Sequence, residues 1–180
     1  DMFRLEGKTA IVTGGSGLYG KHIATALGEA GATVIVASRS LNSCEKAAEE
    51  LTKTGCKAVA MRVDLSSEAS VCAFAAEVEQ RFGRLDVLIN NSVSRTGLND
   101  LEMTTPEGWE AAQRVNGAGL MLMSREAVKL MRKNDKGSIV NIGSIQGAGG
   151  PHFPVYGDTG MTSGIEYTYA KWGMVGVTKW

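Results

Sequence analysis

Residues 8–20 read Lys8-Thr9-Ala10-Ile11-Val12-Thr13-Gly14-Gly15-Ser16-Gly17-Leu18-Tyr19-Gly20. A short apolar run with β-branched residues meets a cluster of glycines. Beyond the cluster, Ile23, Ala26 and Leu27 recur at helical spacing up to about Ala30, and Gly31 is placed to end the helix. The segment therefore predicts a buried strand, a tight turn and a helix.

The same alternation continues outward. Thr33–Ala37 predicts a second strand, 42–54 a helix ended by Gly55, and Ala58–Val63 a third strand. Val71, Phe74, Ala75, Val78 and Phe82 share one helical face. Leu85–Ile89 is too continuously apolar for a strand with one wet face. Thr105-Pro106 is a helix start, with a capping hydroxyl and proline at the first helical position. A long helix is predicted over about 115–132, a fifth strand over Ser138–Ile142 and a last helix over Tyr167–Trp180. Apolar strands alternating with helices predict an α/β fold, a Rossmann-type doubly wound parallel sheet with helices on both faces, forming one domain over 1–180. Residues 146–165 form a long connection rich in Gly, Pro and aromatics, a length that usually marks a binding loop or lid.

Composition narrows the function classes. The chain has 180 residues, 43% hydrophobic and 21% charged, which suits a globular core. Nineteen basic residues balance nineteen acidic ones, so the basic excess of a phosphate-backbone binder is missing and no nucleic-acid partner is expected. No apolar run is long enough to span a membrane, and the opening residues lack the apolar stretch of a signal peptide. Cys44, Cys56 and Cys72 are odd in number and lack CxxC spacing, which suggests free thiols in a reducing compartment. His22 and His152 lie far apart, so no metal site is expected. These features point to a cytoplasmic protein with a small-molecule substrate.

The glycine turn carries the first chemical signal. A pyrophosphate can approach backbone N–H groups at a helix N-terminus only where no Cβ intervenes. Gly14 permits the tight turn, Gly17 the close approach and Gly20 the packing of helix on strand. With Ser16 and Leu18 they form the expected dinucleotide-binding segment. A P-loop is disfavoured, because no Gly-Lys-Ser/Thr follows. The tip of the second strand reads Ala37-Ser38-Arg39-Ser40. An acid there would accept a ribose 2′-hydroxyl, whereas Ser38 and Arg39 suit a 2′-phosphate, favouring NADP(H) over NAD(H).

The second signal is Tyr167-Thr168-Tyr169-Ala170-Lys171, which puts Tyr167 and Lys171 on one helical face. A cation beside a phenol favours the phenolate and fits the tyrosine for proton exchange with a carbonyl/alcohol pair. Tyr156 and Tyr169 cannot substitute, since glycine stands four residues after each.

With this pair in place, nearly the whole chain resembles the short-chain dehydrogenase/reductase family. The resemblance rests on the glycine turn, Asp64-Leu65, Asn90-Asn91-Ser92, Asn116, Ser144 and Tyr167 with Lys171. It implies that Asp64 and Leu65 contact the adenine and that Asn90 lies near the adenosine ribose and steadies the sheet. It further implies that Ser144 hydrogen-bonds the substrate oxygen and Tyr167 exchanges the proton. Lys171 would bind the nicotinamide ribose and favour the ionised tyrosine, and Asn116 would hold a water that relays protons. A homo-oligomer, dimer or tetramer, is implied through the helices around 115–132 and 167–180. Sedimentation showing only monomer at micromolar concentration would refute it.

Three departures bear on function. Leu18 stands where simpler members usually have glycine, a spacing similar to the sugar-nucleotide epimerase branch; the Asn-Asn-Ser segment and Asn116 side with the simpler branch. Ser144 and Tyr167 are 23 positions apart, more than is usual, and the extra residues resemble those of members linked to bacterial surface-sugar and flagellin modification. The chain ends at Trp180, before the strands and substrate-covering segment with which family members normally continue. Either it is part of a longer chain, or a partner covers the edge at the fifth strand. Three functions follow for test: an NADP(H)-dependent oxidoreductase of small polar alcohols or ketones, a non-catalytic dinucleotide-binding module, and an epimerase-like enzyme.

Overall fold

The computed structural model describes residues 3–97 and 100–180; residues 1, 2, 98 and 99 of the expected domain lie outside them. Five parallel strands, β1 (Thr9–Thr13), β2 (Thr33–Ser38), β3 (Lys57–Arg62), β4 (Val87–Asn90) and β5 (Ser138–Asn141), stand in the order β3-β2-β1-β4-β5. The helices between them are α1 (Leu18–Glu29), α2 (Leu41–Lys53), α3 (Glu68–Phe82), α4 (Pro106–Gln113) and α5 (Leu120–Arg132), with α6 (Ile165–Lys179) last. The doubly wound architecture expected from the alternation is the one found.

Alternation along the strands explains why both sheet faces are covered. Ile11 lies beside Ile35 and Leu88 in register. These three join α3 through Phe74 and Val78, and α5 through Met123 and Ala127. Their neighbours Ala10, Val12, Val34 and Val36 point the other way, onto Ala24 of α1 and Ala47 and Leu51 of α2. The strand order reverses about β1, so the connections leaving β1 and β4 turn to opposite faces of the sheet and leave a crevice at the strands' C-terminal ends.

The caps follow the sequence. Ser40, Ser67 and Thr105 each accept a backbone N–H three residues on, at the starts of α2, α3 and α4. The helix expected over 115–132 differs in its first part. Arg114–Gly119 is π-helical, and regular α-helix begins only at Leu120. Gly117 and Gly119 hold α geometry weakly, and Asn116 is pinned by hydrogen bonds to Ser94 outside the helix. Gly119 also crosses so close over Leu65 that a Cβ would lie 2.6 Å from its carbonyl oxygen. The connection 146–165 is not structureless. It contains 3-10 turns at Ile145–Gly147 and Phe153–Thr159, the latter broken at Gly157 and Asp158.

At the opposite end of the sheet, Asp86 is buried and accepts from the Thr9 N–H, from Lys8 and from Arg84. Burial alone would raise its carboxyl pKa. The three donors outweigh that and hold it at about 2. A carboxylate held low stabilises the fold above its unfolded pKa and loses that contribution as pH falls toward 2. Urea unfolding between pH 4.5 and 2, at about those limits, should show an acid-side loss on the order of 2 kcal/mol from this group. Asp86→Asn should flatten that slope; an unchanged slope would remove Asp86 as its source.

Candidate active site

The glycine turn closes by its own backbone. Gly14 has φ +62, and its N–H donates to Ala37 O at 2.7 Å, tying the turn to the end of β2. At Gly20 a Cβ would sit 2.1 Å from Gly14 O, so helix α1 can lie against the turn only with hydrogen there. Gly17 caps α1 without a side-chain bond, and the first turn carries no acid. The N–H groups of that turn therefore face the crevice uncapped and unopposed by negative charge.

Thr13 sets the other wall. Its hydroxyl donates to Ile89 O at 3.2 Å and accepts from the N–H groups of Asn91 and Ser92 at 3.0 and 3.1 Å. The Asn91 amide then donates to Thr13 O and Gly14 O. The ends of β1 and β4 are thus pinned across the crevice. Between them opens a cleft of about 440 Å³, walled by Gly14, Gly17 and Leu18 on one side and by Val63, Leu65 and Ser92 on the other. Ser38 and Arg39 also line it. Ser16 Oγ lies 3.4 Å from Ser38 Oγ, joining turn to strand tip. Asp64 is turned aside. Its carboxylate accepts from Ser66 N and Oγ, and these bonds, more than Arg39 and Arg62, hold its pKa low.

Tyr167, Lys171, Asn116 and Asn90 line one cavity with Thr13, and this cavity shares Leu65, Ser92, Val93 and Val115 with that cleft. Lys171 Nζ lies 5.6 Å from the centroid of the Tyr167 ring and donates to Ile142 O at 2.5 Å. Burial lowers its ammonium pKa from the ordinary lysine value. Asn116 is buried in the π-helical segment, accepting from Ser94 N at 2.7 Å and donating to Ser94 O at 2.8 Å. A π-bulge at such a place is a frequent mark of a functional site. Asn90 donates to Ser124 Oγ and Asn141 Oδ1, coupling β4 to α5 and β5.

Ser144 is not among the residues lining this cavity. It starts the 3-10 turn at 145, where its hydroxyl accepts from Gln146 N at 3.2 Å. The 146–165 connection is tethered nearby, because Gln146 Oε1 accepts from both Ser163 and Thr168.

Several residues here were not foreseen. Thr13, Gln113 and Gln146 act through main-chain and amide bonds that no spacing rule signals; Gln113 donates to Glu166 O at 2.9 Å. Glu166, beside Tyr167, is fully buried, and both carboxylate oxygens lack a hydrogen-bond partner among the described residues. Its place in the first turn of α6 puts it at the positive end of the helix dipole.

A glycine turn at a sheet switch point, next to a half-buried tyrosine and a buried lysine, defines a nucleotide-dependent oxidoreductase type of site. The family model for short chain dehydrogenase matches residues 8–179, and the chain belongs to that family. It is 34% identical over 176 residues to 3-oxoacyl-acyl-carrier-protein reductase FabG of Pseudomonas aeruginosa, covering 97% of this chain and 66% of the relative. A metagenomic short-chain oxidoreductase in complex with NADP superposes with TM-score 0.85 at 32% identity, covering 97% of this chain and 75% of that one. A gluconate 5-dehydrogenase from Burkholderia cenocepacia, in complex with NADP and tartrate, gives TM-score 0.85 at 28% identity over 99% of this chain and 66% of that one. The chain spans about two thirds of the length of the curated relatives it matches. Among the described residues no helix is long and apolar enough to cross a membrane, and no His/Cys/Asp/Glu group could hold a metal ion.

Proposed function

We propose that this chain is the nucleotide-binding and proton-transfer part of a cytoplasmic NADP(H)-dependent oxidoreductase, acting on a small polar alcohol or ketone as a homo-oligomer. The observation that carries the reading is the Lys171 ammonium beside the Tyr167 ring, in a cavity that shares lining residues with the glycine-turn cleft.

The residues fit a dinucleotide. A Cβ at Gly14 would crowd Asn91 and Ser92, where the turn must stay thin, and the first turn of α1 offers free N–H groups. Gly14, Ser16, Gly17, Leu18 and Gly20 would hold the pyrophosphate, Ser38 and Arg39 the 2′-phosphate, and Asp64, Leu65 and Asn90 the adenosine half. When bound, the nicotinamide supplies or accepts the hydride.

The protein's own part is the proton. On reduction the Tyr167 hydroxyl gives its proton to the substrate oxygen; on oxidation the phenolate takes it back. Lys171, anchored by Ile142 O, holds its charge beside the Tyr167 ring. Ser144 would orient the substrate oxygen, and Asn116 would connect Lys171 to a water path. The NADP held by similar structures, and relatives named as an oxoacyl reductase and a gluconate dehydrogenase, support this assignment.

Titration with NADPH and NADH in parallel, by calorimetry, tests the cofactor half without knowledge of the substrate. NADPH should bind at least about tenfold tighter, as expected for one charge-assisted contact to phosphate. Arg39→Gln should weaken NADPH about tenfold and leave NADH within about twofold. Equal affinities in the unaltered protein would sink the NADP assignment.

A further inference from the structure

The edge strand β3 ends at Arg62, which stands in register with Ser38 of β2. In parallel strands, registered neighbours project to the same face. Ser38 projects toward Ser16 and toward Cys44 of α2, with Oγ 3.0 Å from Cys44 Sγ. Arg62 therefore belongs to the same side of the sheet as the strand-tip hydroxyls. Its Nε donates to Arg39 O at 3.2 Å, which fixes the guanidinium beside the β2 tip.

The charges around this point are mostly positive, with Asp64 the acid that both guanidiniums influence. Neither Arg39 nor Arg62 forms an ion pair with a described residue. The nearest acid, Asp64, has its bonds with Ser66. Helix α2 starts here with Ser40 as its cap and no acid in its first turn. The Arg62 guanidinium, the exposed Arg39 and the hydroxyls of Ser16 and Ser38 thus lie around the β2 tip, next to the start of α2.

We propose that Arg62 is a second guanidinium of the 2′-phosphate subsite, acting with Arg39 as a specificity-determining residue for NADP(H). This rests on the cofactor reading above. With Nε on Arg39 O, the two terminal nitrogens of Arg62 are left to grip a phosphate from the β3 side while Arg39 grips it from the β2 tip.

Calorimetry of the full chain with adenosine 2′,5′-bisphosphate and 5′-AMP tests this at the adenosine end alone. The unaltered protein should prefer the bisphosphate. Arg62→Gln should weaken bisphosphate binding about tenfold and leave 5′-AMP within about twofold. Arg62→Lys, which keeps the charge and loses the fork, should fall between. In an Arg39→Ala background the Arg39 carbonyl is retained, and Arg62→Gln should still cost a similar factor. Bisphosphate affinity unchanged by Arg62→Gln overturns the proposal. So does a loss that disappears in the Arg39→Ala background, because Arg62 would then act only by holding Arg39. If the unaltered protein does not distinguish the two probes, the NADP reading itself falls, and this assignment with it.

Discussion

Replacing Tyr167 by Phe is expected to lower turnover of carbonyl substrates by about 10³-fold, within the range a positioned proton donor contributes. The assay is loss of NADPH absorbance over a panel of small polar ketones, with the chain in its full-length protein. Phe keeps the ring that faces Lys171 at 5.6 Å and removes only the hydroxyl. The half-buried ring should pack as before, so the unfolding midpoint and the NADPH affinity should stay close to those of the parent protein. Lost turnover with intact binding separates a missing proton from a damaged cleft. Turnover retained by Tyr167→Phe would remove Tyr167 from the chemistry altogether.

The second large effect is structural. Gly20→Ala should destabilise the fold by about 3 kcal/mol, at the upper end of ordinary overpacking, and should abolish NADPH binding. The added carbon meets Gly14 O at 2.1 Å and Gly14 C and Gly15 Cα at 2.8 Å, all main-chain atoms that no rotamer change can clear. Helix α1 must therefore lift from the turn, carrying the uncapped N–H groups away from the phosphate position. Urea unfolding gives the first number and fluorescence titration the second. Gly17→Ala is the internal control for the unfolding measurement, because its nearest such contact is Gly14 O at 3.2 Å. Equal destabilisation by the two substitutions would show that helix–turn contact does not limit the fold.

Much of this architecture is legible in the residues. Ile11, Ile35 and Leu88 announce strands buried on both faces, and Thr105-Pro106 announces the start of α4. The Tyr167–Lys171 pairing follows from helical period alone, and the two groups face one cavity. Periodicity is silent where side chains bind main chain. Asn116 sits in what reads as unbroken helix, and the π-helical turn there depends on Ser94, 22 positions earlier, a contact of tertiary origin. Arg62 looks like a solvated strand-end residue until strand register sets it opposite Ser38. The 146–165 segment reads as loop because Gly and Pro punctuate it. What organises it is a single amide oxygen on Gln146 that serves both of its ends.

The Thr13 hydroxyl has a mechanical consequence. Three hydrogen bonds converge on it, and Asn91 adds two more across the same gap. The nucleotide crevice accordingly has one stiff jaw, and any breathing needed to admit or release a cofactor must come from the opposite jaw, where α1 begins and β2 ends. Crevice opening in this protein is then a one-sided movement, and the spacing between the sheet's central strands serves as its fixed ruler.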